Sequence, residues 1–250
     1  MKSAMPECPP AALADLAPTG RLRAAINLGN TLLTSKDPAT GEFRGIAVDL
    51  ARELGRRLGV AVDINGFDSP GKLADAVKTW DVGFIGAEPQ RASEIAFTAA
   101  YVEIDATYLV PAGSPLHAIA DVDRPGVRIA VLGRSAYELY LSRTLKHAQL
   151  ALESSFDSTF QRFVTDRLDA LAGLRALLAD DAAKLPGSRI LDGRFTAVQQ
   201  AVGTPKARVA GARYLSEFVE EIKATGLVAR TIEKNGIRGL SVAPAATHAA

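Results

Sequence analysis

From Arg21 to Ile85, short apolar runs alternate with amphipathic ones, and the same alternation restarts at Gly126. "RLRAAINL" reads as a strand. "IAVDLARELGRRLGV" sets Ile46, Leu50, Leu54 and Leu58 along one helical face, with Gly59 closing the helix. "VAVDI", "GKLADAVKT" and "WDVGFI" continue as strand, short helix and strand. The second block repeats the order with "GVRIAVL", "SAYELYLSRTLKHA", "LALES", "STFQRFVTD" and "LDALAGL". After it come a strand, "FTAVQQAVG", and two amphipathic helices, "ARVAGARYLSEFVEEIKATG" and "VARTIEKNG". Strand and helix in turn imply parallel pairing with right-handed crossovers, hence two α/β units. The Pro- and Ala-rich residues 1–20 read as a loose arm, and "LSVAPAATHAA" as a disordered tail.

The 250 residues carry 29 basic and 28 acidic side chains, so no net field draws the chain to nucleic acid or an anionic membrane. A single cysteine, Cys8, excludes an internal disulfide. His117, His147 and His248 lie far apart, no Cys/His spacing suits a metal, and no cofactor is implied. The N-terminal twenty residues lack a signal-peptide pattern. The chain is therefore either an exported form without its leader or, if Met1 is the native start, cytoplasmic. The longest apolar stretches, such as "AAYVEIDATYLV", are broken by charge, so nothing reads as spanning a bilayer.

In open parallel sheets ligands sit beyond the carboxyl ends of the strands, which directs attention to the loops after "AAINL", "WDVGFI", "RIAVL" and "LDALAG". The second of these leads into "GAEPQRASEIAFTAAY", with Arg91 alone over a small-residue loop. A guanidinium there is a planar fork matched to a carboxylate or phosphate; its other reading is an exposed arginine paired with Glu94. Phe67 reads equally as a stacking wall or a core residue. Ser135 suits a helix N-cap. Gln199 and Gln200 sit side by side on a strand whose neighbours face opposite ways, so one of them can face a ligand.

"LRAAINLGNTLLTSKDPATGEFRGIAVDLARELGRRLGV" resembles the opening of the polar-amino-acid type of solute-binding protein, the extracytoplasmic receptors of ABC importers. The G-x-x-x-D-L pattern falls on Gly45, Asp49 and Leu50. "EPQRASEIAFTAAYVE" is similar to that family's second signature through Arg91, Phe97, Thr98 and Tyr101. The likeness runs from about Leu22 to Gly236, including "RLDALAGLRALL" and "EIKATGLVARTIEKNG". It implies a two-lobed periplasmic-binding-protein-like fold of type II, each lobe a mainly parallel sheet flanked by helices, joined by two crossover strands. Lobe 1 would comprise residues 20–108 and 197–237 and lobe 2 residues 109–196, with flexible tails at 1–19 and 238–250. The implied function is binding, not catalysis. A small carboxylate-bearing solute, an amino acid or related organic acid, is held in an interlobe cleft by hinge closure, with an ABC permease as partner and the protein a monomer.

By the same resemblance, Arg91 clamps the ligand carboxylate. The first amides of the helix at Ser135, Ala136 and Tyr137 assist, as helix N-termini favour anions. Asn27 and Asn30 fall where the family has an acid and a covering aromatic. Asn30 reads as a ligand hydrogen-bonder or an Asx-turn residue. Gly86 and Ala87 replace Ser or Thr, and Glu88 stands at a threonine position. The aspartate that pairs with an α-ammonium in amino-acid binders is replaced by Gly173-Leu174-Arg175. Without an acceptor from Glu88, an organic acid lacking the amine fits better, a dicarboxylate held by Arg91 and Arg175 being one form. Two alternatives remain open. One is a cyclohexadienyl-dehydratase-like enzyme, for which Glu88 is the obvious acid; the other is a cytosolic ligand sensor on the same scaffold.

Overall fold

A computed structural model describes residues 8–246, and the chain divides into two units. The first unit holds α1 (Pro10–Leu16), β1 (Arg21–Asn27), β2 (Ser35–Lys36), β3 (Phe43–Arg44) and α2 (Ile46–Leu58). It continues with β4 (Ala61–Phe67), α3 (Pro70–Asp75), β5 (Val82–Gly86) and a 3-10 turn at Arg91–Ser93. The chain leaves this unit between Glu103 and Ile104, within the long strand β6 (Ile95–Val110).

The second unit contributes β7 (Arg128–Leu132), α4 (Ala136–Thr144), β8 (Gln149–Glu153), α5 (Phe156–Thr165), β9 (Ala170–Leu174), α6 (Arg175–Ala183) and β10 (Arg189–Ile190). The chain re-enters the first unit between Val198 and Gln199 in β11 (Thr196–Pro205). It ends with α7 (Val209–Ala224), α8 (Leu227–Lys234) and β12 (Ser241–Val242). The chain passes between the units at 103/104 in β6 and at 198/199 in β11.

In the first unit β1 pairs in parallel with β4 and β5, and β11 runs antiparallel to β5. In the second, β7 pairs in parallel with β8 and β9, while β6 and β9 are antiparallel. Each unit has its own core: Ala25, Leu73, Val77, Trp80, Ile85 and Ile95 in one, Leu109, Ala130, Phe163, Leu168, Leu171 and Leu178 in the other. The four-residue spacing in α2 corresponds to burial of Ile46, Leu50, Leu54 and Leu58.

Two motif residues turn out to hold the framework. Gly45 adopts φ 117°, and a Cβ there would lie 2.4 Å from the Leu33 carbonyl oxygen, so only glycine lets the loop pass beneath α2. The Asp49 carboxylate accepts from Lys234 Nζ at 3.0 Å and Asn235 Nδ2 at 3.1 Å, tying α2 to α8. Deeper in the unit, Asp81 is fully buried and accepts from the Arg23 amide (2.9 Å), Arg23 Nε (3.0 Å), Arg23 Nη2 (2.7 Å) and Arg208 Nη1 (2.6 Å). One carboxylate thus joins β1, the start of β5 and the approach to α7. Burial alone would push its carboxyl pKa up. The Arg23 and Arg208 hydrogen bonds outweigh burial and hold it below the ordinary aspartate value.

Both chain ends depart from the sequence reading. Residues 10–16, expected within a loose arm, form a helix: Pro10 presets the first turn, and Ala12 and Leu16, one turn apart, are buried. The helix lies against α7 where Gly211 has no side chain; a Cβ there would come within 2.9 Å of Leu16 Cδ2. Asp15 accepts the Gly211 amide at 2.9 Å. In the tail, Ser241 and Val242 pair with Glu103 and Val102 of β6. Lys223 Nζ donates to the Pro244 carbonyl at 2.7 Å. Residues 1–7 and 247–250, with His248, lie outside the described residues.

Candidate functional site

At the carboxyl edge of the first unit, Asn27 ends β1 in register with Phe67 at the end of β4. Gly86 ends β5, opposite Gln200 of β11. Beyond Gly86 the chain turns through Ala87 to Gln90. The Glu88 carbonyl accepts the Arg91 and Ala92 amides, and this tight turn carries Arg91 back over the strand end. Arg91 Nη1 donates to the Gly86 carbonyl at 2.6 Å, and the residue is 7% exposed. The exposed-arginine reading is therefore replaced by a buried guanidinium fixed at the end of β5. A fork so placed loses little rotamer freedom when it meets an anion. Glu88 is half-buried beside it.

Ladder geometry explains the Gly86 contact. The Ala87 amide donates to the Gln199 carbonyl at 2.8 Å, so those two form the hydrogen-bonded pair. Gln200 and Gly86 are then a non-hydrogen-bonded pair, and the Gly86 carbonyl points away from β11, free for Arg91.

Asn27 and Asn30 are turn residues. Asn27 Oδ1 accepts the Gly29 amide (3.1 Å) and Asn30 Oδ1 the Leu32 amide (3.3 Å), while Thr34 Oγ1 donates to both of their carbonyls. Phe67 packs on the core cluster around Trp80.

In the second unit, Ser135 and Arg175 follow the neighbouring parallel strands β7 and β9. Ser135 caps α4, its Oγ accepting the Glu138 amide at 3.1 Å. The Ala136 and Tyr137 amides have no partner among the described residues. Tyr137 is 4% exposed; burial raises its phenol pKa, against a hydrogen bond to Ser135. A residue the sequence reading passed over also occupies this helix end. The buried Glu138 carboxylate accepts the Arg134 amide at 2.7 Å and the Ser142 hydroxyl. The Ser135-x-x-Glu138 spacing was its available signal.

Arg175, read as a possible second clamp, turns one nitrogen to the carbonyls of Leu191 (3.0 Å) and Gly193. It thereby ties α6 to the loop after β10. Gly173 lies where a Cβ would meet Leu178 Cδ2 at 2.9 Å, so packing against α6 accounts for the small residue there. Among the described residues no cluster of three His, Cys, Asp or Glu side chains could hold a metal ion. No helix of the described residues is long and apolar enough to cross a membrane.

Residues 22–236 match the family model described as bacterial extracellular solute-binding proteins, family 3. The chain belongs to that family. No curated protein matches the sequence. Among solved structures, the solute-binding protein is similar to the solute receptor for L-cysteine of Neisseria gonorrhoeae, with TM-score 0.76 and 18% identity over 91% of this chain and 95% of that one. It is also similar to a mutant of ArgBP from T. maritima, with TM-score 0.73 and 22% identity over 89% and 98% of the two chains. An ancestral amino acid-binding protein, a precursor of cyclohexadienyl dehydratase, superposes with TM-score 0.72 and 22% identity over the same shares. At these identities the likeness establishes the type II two-lobed fold, in which two crossover strands join the lobes.

Proposed function

We propose that this solute-binding protein is the substrate-binding component of an ABC-type importer, working outside the cytoplasm. Its ligand is a small carboxylate-bearing solute, an amino acid or related organic acid, and the two lobes close on it through the crossover strands β6 and β11. Arg91 holds the carboxylate. Gly86 and Glu88 stand around that clamp, Gln199 braces its loop through the bond from the Ala87 amide to its carbonyl, and the Ala136 and Tyr137 amides are the second lobe's contribution. Asn27, Asn30 and Phe67 shape the first lobe's rim from positions already committed to turns and core. The observation that carries this reading is the buried guanidinium fixed on the Gly86 carbonyl at the strand end. Binding is favoured over catalysis because the second-lobe positions read Gly173, Leu174 and Arg175, which offer no general acid, and Glu88, the other candidate acid, already has a partner.

A thermal-shift panel of amino acids and organic acids, with mass spectrometry of what co-purifies, tests the reading. A ligand at a hundred times its Kd stabilises by roughly 2.7 kcal/mol. For a chain of this size that raises Tm by about 5–10 °C. Arg91→Ala is expected to abolish the rise while the unliganded protein still melts cooperatively. A ligand-induced rise that survives Arg91→Ala refutes the clamp.

A further inference from the structure

Gln200 is a polar residue within β11, opposite the end of β5, that none of the framework contacts uses. It is 6% exposed, and its side-chain amide makes no hydrogen bond with any described residue. Its amide atoms are not among the described polar atoms sealed off without a partner, so they still reach solvent and can meet a group supplied from outside the fold. Two features place that partner at the ligand. Gln200 stands directly opposite Gly86 in a non-hydrogen-bonded pair, where Cα atoms approach to about 4.5 Å and both side chains share one sheet face. Gly86 has no side chain, so nothing on its own cross-strand position covers the amide. The Gly86 carbonyl in turn anchors Arg91 at 2.6 Å, which puts the amide one strand away from the proposed carboxylate clamp.

The geometry points to Gln200 as the residue that reads an uncharged oxygen function, a hydroxyl or oxo group, next to the ligand's carboxylate. This rests on the carboxylate-clamp reading given above. A carboxamide offers one acceptor and two donors, so it serves a hydroxyl in either role and an oxo group through its NH2. It carries no charge, and the position after β9 reads Gly173-Leu174-Arg175 with no acid. Glu88, the acid next to the clamp, already has a partner, so a buried ammonium opposite Gln200 would be left under-compensated. The proposed class is thus the 2-hydroxy and 2-oxo carboxylates, ahead of their 2-amino analogues and of the unsubstituted acids.

The test is calorimetric titration of the whole chain with matched sets on one carbon skeleton. Three sets are alanine, lactate, pyruvate and propionate; glutamate, 2-hydroxyglutarate, 2-oxoglutarate and glutarate; and phenylalanine with its hydroxy, oxo and unsubstituted acids. In the set that binds, the hydroxy or oxo member is expected to bind about tenfold or more tightly than the unsubstituted acid. Gln200→Leu should close that gap and leave the unsubstituted acid where it was. Gln200→Met, nearer in shape, repeats the measurement if the leucine variant melts early. If the oxygen-bearing member keeps its advantage in both variants, or if the amino member binds best in the wild type, the assignment of Gln200 is overturned. In that case Arg91→Ala still abolishes binding and the clamp survives. No binding by any carboxylate to the wild type would overturn the clamp and this inference together.

Discussion

Replacing Asp81 with alanine removes the one carboxylate on which two arginines and a backbone amide converge. The side chain is fully buried, so its loss leaves the Arg23 amide without its acceptor and two guanidiniums without their counter-charge. Breaking a buried ion pair from one side costs about 3–5 kcal/mol. The arginine side chains retain 30% and 21% of their exposure and can turn partly toward water, which lowers the expectation to about 2–4 kcal/mol. At roughly 2–4 °C per kcal/mol for a chain of this length, Tm should fall by about 4–16 °C. Urea titration followed by tryptophan fluorescence suits the measurement, because Trp80 precedes Asp81 and belongs to the same core. The midpoint should drop with an unchanged slope. Combining Asp81→Ala with Arg208→Ala should cost less than the two losses added, since each variant removes the same pair. A loss under about 1 kcal/mol, or strict additivity in the double variant, would refute the idea that this carboxylate locks β1, β5 and α7 together.

Acid should expose a second carboxylate. Hydrogen bonding from Arg56, with help from Arg57 and against the opposing push of burial, lowers the Glu53 pKa from 4.5 to about 2. A depressed folded-state pKa contributes stability that is fully present above about pH 4.5 and is lost as pH falls toward 2. Glu53→Gln should therefore flatten the dependence of Tm on pH within that window, and an unchanged slope would count against it. At the N-terminal end, Leu16→Ala empties a fully buried position between α1 and α7 and should cost about 2–5 kcal/mol in denaturant titrations. A change near zero would mean that α1 contributes nothing to the fold.

Much of the scaffold was legible because it is local. The four-residue spacing in α2, the strand-helix order and the missing acid after β9 need no partner to be read. Arg91 was legible as a position, through its offset from Phe97, Thr98 and Tyr101. Its burial was not, because that depends on a turn closed by the Glu88 carbonyl and on a ladder that frees the Gly86 carbonyl. Elements stabilised by distant contacts escaped. α1 looks like a Pro/Ala arm until α7 supplies Gly211 to pack against. β12 is two residues whose only periodicity is their pairing with β6. Asp81 reads as an ordinary residue at the start of a strand, since Arg208 reaches it from far along the chain. The asparagines fell the other way: Asn27 and Asn30 looked available for a ligand but spend their side-chain oxygens on their own turns.

The path of the chain between the two units also bears on how the molecule is made. Residues 104–198 are contiguous and carry their own apolar cluster, whereas the other half gains β11, α7 and α8 only in about the last fifth of the chain. As the polypeptide emerges from the ribosome, the inserted half can therefore complete its fold first. The half bearing Arg91 stays open until synthesis is nearly complete. A premature stop after Val198 would leave one condensed body attached to an unclosed sheet, with β5 exposed as bait for proteases and aggregation.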